Sequence, residues 1–107
     1  LLQGLPPNVR VEENVRDYIV ALITATRDDD SFALGASPRA GLALYKTSQA
    51  WAAIDGRDYV TPDDVKKMAR SVLPHRMILA SAARLRGSSA EQVVDEMLTT
   101  IPVPIER

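Results

Sequence analysis

The sequence predicts an all-α domain, a small helical bundle of four to five helices, and three observations support this. Apolar residues return at helical spacing in several separate stretches. Helix-start signals recur, as Ser37-Pro38, as Thr61-Pro62-Asp63-Asp64 and as Ser88 followed by Glu91. The chain of 107 residues is 46% hydrophobic but only 5% aromatic, so its core must be built mainly from Ala, Leu, Val and Ile, which suits closely packed helices. That length supports one domain with one modest core.

Residues 1–11 carry Gly4, Pro6, Pro7 and Asn8 and read as a linker from a missing N-terminal segment, because Pro6-Pro7 cannot lie inside a helix. Residues 12–107 are the expected folded domain. The first helix starts at Glu12 and Glu13, whose charge suits the positive end of the helix dipole. It buries a stripe of Val15, Tyr18, Ile19, Leu22, Ile23 and Thr26. Asp28-Asp29-Asp30-Ser31 ends it. Three consecutive carboxylates lack the spaced oxygens and turn glycine of a hard-cation loop, so a solvated loop is favoured over a metal site. Phe32 and Leu34 are expected to fold back onto the core.

The second helix runs from Pro38 to about Ile54 and is rich in small residues, Gly41, Ala43, Ser48, Ala50, Ala52 and Ala53 among them. Small residues let neighbouring helices approach, so this is the expected central helix, with Leu44, Trp51 and Ile54 supplying bulk. A lone tryptophan here is favoured as a core or core-edge residue over a partner anchor. Asp55-Gly56 closes the helix, and Arg57-Asp58-Tyr59-Val60 is an extended connection. Thr61 caps the third helix, Pro62 opens it, acids occupy its first turn, and it continues to about Leu73.

Pro74 stops that helix. His75, the one histidine, has neither a cysteine nor a second histidine to share a metal or catalytic dyad with, and a structural histidine bonded to backbone is favoured. Met77 to Ala80 is too short an apolar run to decide its state, so a short extended segment near residues 76–80 stays open beside a short helix. Arg84 and Arg86 before Gly87 suit a helix end. Ser88 with Glu91 then opens a last helix with Val93, Val94, Met97, Leu98 and Ile101 on its apolar side, stopped by Pro102 and Pro104. Leu22, Leu44, Val65, Val72 and Leu98 are expected to share one core.

The stretch with chemical interest is Gly35-Ala36-Ser37-Pro38-Arg39-Ala40. Ser37 can accept from a first-turn N–H, Pro38 has its φ preset, and Gly35 leaves room for the turn. Arg39 then falls where the dipole disfavours a cation by about 0.3–1 kcal/mol. A guanidinium placed there at a cost, beside free N–H groups, suits a phosphate oxygen. In isolation the motif is more simply a helix start with a solvated arginine, so its surroundings decide.

Those surroundings are Gly35–Ala40, the small-residue helix after it, then Gly56-Arg57-Asp58-Tyr59-Val60-Thr61-Pro62-Asp63-Asp64-Val65, then Val72-Leu73-Pro74-His75-Arg76. In order and spacing they resemble the C-terminal lid of MoxR-type AAA+ ATPases. Val11 through Val20 with Ala25-Thr26-Arg27 looks like that lid's first helix, and Ile101-Pro102-Val103-Pro104 like its ending, so nearly the whole chain is covered. The resemblance implies that Arg39 is the sensor-2 arginine reaching the nucleotide's terminal phosphates, with Ser37 beside it, in the nucleotide site of the same or a neighbouring subunit. It further implies a parent ATPase using ATP and Mg, with this lid partnered by the N-terminal AAA+ core of the same chain and by neighbouring subunits of a ring. The family's work is chaperone-like remodelling or metal-cofactor insertion, on a client these residues do not identify. A first residue Leu1 with this pattern reads as a piece of that larger protein.

The chain contains neither a phosphate-cradling glycine loop with Lys and Ser/Thr nor an apolar strand ending in paired acids, so it is expected not to hydrolyse ATP or hold a cofactor alone. A net charge of −1 argues against a nucleic-acid footprint. The absence of cysteine fits a reducing compartment, and with no bilayer-spanning run or signal peptide the expected location is cytoplasmic, without membrane insertion. The alternative is a histone-fold-like interaction module with no nucleotide role, suggested by Arg57 to Val65. Its long central helix would have to run through Ser37-Pro38, and an interior proline costs about 3 kcal/mol. A helix-turn-helix DNA binder needs a basic recognition helix, whereas the third helix here opens on two aspartates.

Overall fold

The computed structural model describes residues 9–103. In chain order it contains α1 (Glu13–Asp28), β1 (Phe32–Leu34), α2 (Pro38–Ile54), α3 (Pro62–Val72), a 3-10 turn (Leu73–Arg76), β2 (Ile78–Leu79), α4 (Ser81–Leu85) and α5 (Ala90–Thr100). Among the described residues the fold is a bundle of five α-helices with one small ribbon. No helix among the described residues is long and apolar enough to cross a membrane. The expected linker lies mostly outside the described residues, as does Pro104. Val9 and Arg10, assigned to that linker by sequence, are docked instead. Val9 is buried, its carbonyl accepts from Gln49 Nε2 at 3.0 Å, and Arg10 forms a parallel bridge to Tyr59.

α2 is central because its inward stripe is small. Ala40, Leu44, Ser48 and Ala52 recur every fourth residue and are all buried, so α3 can lie close along them, with α1 on the other flank. Leu22, Leu44, Val65, Leu73 and Leu98 meet in the middle. Val72, expected there, is only half-buried against the core. Val65, Ala69 and Leu73 form the true i, i+4, i+8 stripe, and Leu73 takes the central place. Ile54 does not supply bulk and is 76% exposed, because it lies two residues past Ala52 and so points nearly opposite the stripe. Trp51 is half-buried, outside the core cluster, with Lys67 Nζ 4.8 Å from its ring centroid, a cation–π contact across α2 and α3.

The undecided residues 76–80 divide in two. Arg76 ends the 3-10 turn, and Ile78–Leu79 is a strand pairing antiparallel with β1, Phe32 opposite Leu79 and Leu34 opposite Ile78. The register shifts between Phe32 and Leu34. This irregularity breaks the inward-outward alternation, so Phe32 enters the core while Leu34, expected to follow it, is exposed.

The start of α5 moves by one residue from the expected position. Ser89 caps it and Gln92 closes the box: Ser89 Oγ accepts from Gln92 N at 3.1 Å and Gln92 Oε1 accepts from Ser89 N at 3.0 Å. Ser88 cannot do this because its N–H is already used. It donates to Ala83 O at 3.0 Å while Gly87 N, at positive φ, donates to Arg84 O, the paired closure of a Schellman ending to α4.

Candidate functional site

The site is the start of α2 and the end of α1 that holds it. Ser37 adopts an extended conformation, and its Oγ accepts from Ala40 N at 3.2 Å. Pro38 has no N–H to leave unsatisfied. The N–H of Arg39 has no acceptor among the described residues, so one first-turn donor stays open.

The loop before Ser37 is fastened to α1 on both sides of one residue. Thr26, fully buried, donates its hydroxyl to Ile23 O at 2.6 Å and accepts from Ala36 N at 2.9 Å. Arg27 Nε donates to Ala36 O at 3.1 Å. Gly35 lies so close to α1 that a Cβ on it would sit 2.6 Å from Thr26 O and 2.8 Å from Arg27 N. Close approach, more than turning room, is what requires glycine here.

Arg39 is exposed, and its guanidinium makes no ion pair or hydrogen bond among the described residues. A groove of about 590 Å³ opens at the loop that leads into α2, lined by Arg27, Gly35, Ser37, Pro38 and Arg76 and by residues of β1, and it ends one residue short of Arg39. An apolar groove of about 510 Å³ runs along α1 and α2 past Ile19, Val20, Ile23, Leu42 and Tyr45, and Arg27 and Pro38 border both. Neither groove has a carboxylate in its wall. The resolved ion pairs lie elsewhere, Arg10 with Glu12, Arg57 with Asp55 and Asp64, and Arg70 with Asp95. Arg39 at the α2 start, and Arg27 and Arg76 in the groove at its base, thus have no ion-pair partner among the described residues, and a corner of that charge suits an anion.

Both residues singled out by sequence, Ser37 and Arg39, sit at this corner. The structure adds Thr26, Arg27 and Arg76. Thr26 and Arg27 stand in the Ala25-Thr26-Arg27 stretch and Arg76 in Pro74-His75-Arg76, but nothing local says that these segments meet Ser37. His75 is exposed with no side-chain hydrogen bond among the described residues, in place of the expected backbone-bonded histidine. It projects from the outer side of the turn whose Leu73 and Pro74 are buried. In the acidic run, Asp29 Oδ1 accepts from Ser31 N at 2.8 Å, an Asx turn, while Asp28 and Asp30 face solvent.

The profile of the AAA lid domain family matches residues 24–97. An uncharacterised protein of Bacillus subtilis (strain 168), YeaC, is 42% identical over 99% of this chain and 33% of its own length. The chaperone MoxR1 of Mycobacterium tuberculosis is 35% identical over 96% of this chain and 30% of its own. A crystal structure of a protein from Cytophaga hutchinsonii, described as a candidate ATPase, superposes with a TM-score of 0.85 at 33% identity, over 92% of this chain and 32% of that one. The chain thus spans about a third of the length of the relatives it matches.

Proposed function

The chain belongs to the AAA lid domain family, in the MoxR group of AAA+ ATPases, and from that premise we propose that Arg39 is its sensor-2 residue, contacting the terminal phosphates of ATP. The observation that carries this is an exposed guanidinium, unpaired among the described residues, at the capped start of α2 beside an open first-turn N–H, next in the chain to a groove whose lining carries Arg27 and Arg76 and no carboxylate. Ser37 contributes by fixing the helix start. ATP and Mg are bound by the AAA+ core of the parent protein, since this chain has no phosphate loop.

The mechanism follows from a difference in contact energy between nucleotide states. Arg39 bonded to the γ-phosphate favours one orientation of the domain, and losing that partner after hydrolysis releases it. The same guanidinium stabilises charge developing on the transferring phosphoryl group. Coupled around a ring of subunits, such movements remodel a client protein or assist cofactor insertion.

The test is Arg39→Ala in the full-length ATPase. Removing a cation from a helix's first turn leaves thermal stability unchanged or slightly raised. Losing a donor aimed at the γ-phosphate costs about 2–4 kcal/mol of transition-state stabilisation, roughly a hundredfold in turnover. Wild-type turnover at saturating ATP in the alanine variant would overturn the assignment.

A further inference from the structure

We propose that Thr26 and Arg27 are positioning residues for Arg39, holding the start of α2 on α1 so that its guanidinium meets the nucleotide in one fixed geometry. The proposal rests on the reading of Arg39 given above. Ala36 is 1% exposed, and both of its backbone polar groups are taken by consecutive residues of α1, its N–H by Thr26 Oγ1 and its carbonyl by Arg27 Nε. The Gly35 backbone lies directly against the same turn of α1. Three residues later the chain is already helical, so a fixed Ala36 fixes the base from which Arg39 projects.

The rest of α2 does not need this clamp to fold. Ala40, Leu44, Ser48 and Ala52 bury its length against its neighbours, and Ser37 caps it locally. What the clamp adds is stiffness between the loop and α1. A pull on Arg39 by a phosphate therefore passes through Ala36 into α1, and the two helices move as one body. Arg27 adds a second feature, since Nε is the only one of its donors engaged among the described residues and it borders both grooves at this corner.

The experiment is a double-mutant cycle on ATP hydrolysis by the full-length protein. Thr26→Val removes the hydroxyl at nearly constant volume. Arg27→Lys, on an exposed side chain that keeps its charge, removes Nε without threatening the fold. Each is expected to lower kcat roughly tenfold with little change in KM, because small misplacements of a transition-state contact are costly. Thr26→Ser, which keeps the oxygen, restores kcat to within about twofold of wild type. In the Arg39→Ala background neither variant lowers the residual rate further, since both act through the missing guanidinium. Equal losses with and without Arg39 would overturn the positioning role while leaving Arg39 in place. So would wild-type kcat in Arg27→Lys. Wild-type turnover in Arg39→Ala alone would instead remove the sensor reading, and this proposal with it.

Discussion

Arg57 grips Asp64 with both arms of its guanidinium, Nη1 to Oδ2 and Nη2 to Oδ1, each at 2.7 Å. Asp64 is 3% exposed and is also the third residue of the α3 capping box, where its Oδ2 accepts from Thr61 N at 2.8 Å and its own N–H donates to Thr61 Oγ1. One buried carboxylate thus ties the α2–α3 connection to the helix it caps. Nη1 also donates to Tyr59 O at 3.2 Å, so the connection is held at three points.

This arrangement makes stability depend on acid. Burial alone would push the Asp64 carboxyl up, but the bonds from Arg57 and then Thr61 outweigh it and hold it below its ordinary value of 3.8. A carboxyl depressed on folding contributes stability that is complete above its unfolded value and is lost as pH falls through the folded one. Asp64→Asn keeps an acceptor for Thr61 N but loses the ion pair, at a cost of about 1–3 kcal/mol at neutral pH. Urea titrations should show that gap constant above about pH 5 and closing in acid. A gap that did not change with pH would show that Asp64 acts through shape alone.

Gly35→Ala should cost more than Gly41→Ala. At Gly35 the new methyl meets backbone of α1 at 2.6 Å, and backbone there cannot yield without breaking the hold on Ala36, so about 1–3 kcal/mol is expected. At Gly41 it meets Ile23 Cγ1 at 3.3 Å, a side chain that can give. The helix interior there also gains up to about 1 kcal/mol from replacing glycine. Thermal midpoints that fell equally in both variants would contradict the close approach of Gly35.

Ser89→Ala should destabilise by about 1 kcal/mol and Ser88→Ala by no more than about 0.5, because only Ser89 caps α5. Chemical denaturation of the two single variants distinguishes them. The opposite ranking would mean that α5 starts one residue earlier.

The chain by itself should bind ATP more weakly than micromolar. A charge-assisted phosphate contact supplies roughly 1.5–3 kcal/mol against about 8 for a micromolar dissociation constant. Calorimetric titration with ATP and magnesium checks this, and a micromolar constant would point to a nucleotide site beyond Arg39.

Helix identity and the α2 and α3 starts were legible in the sequence because the chemistry that fixes them acts within one turn. Ser37 reaches Ala40, Thr61 reaches Asp64, and Pro38 and Pro62 set their own φ. Ser37 and Arg39 could be singled out for the same reason, since a cap and a first-turn cation are neighbours in the chain. The choice between Ser88 and Ser89 lay beyond that range, because both satisfy the same local pattern. It depended on whether α4 had already used the Ser88 N–H. Pairing of Phe32 with Leu79, the meeting of Arg76 with Ser37, and the hold of Thr26 and Arg27 on Ala36 join segments whose local signals say nothing of one another. Periodicity marked which face of each helix is apolar, but only the packed directions of α1, α2 and α3 decided that Leu73 would fill the centre, that Ile54 and Leu34 would face water, and which α1 residues would hold Ala36 ahead of Arg39.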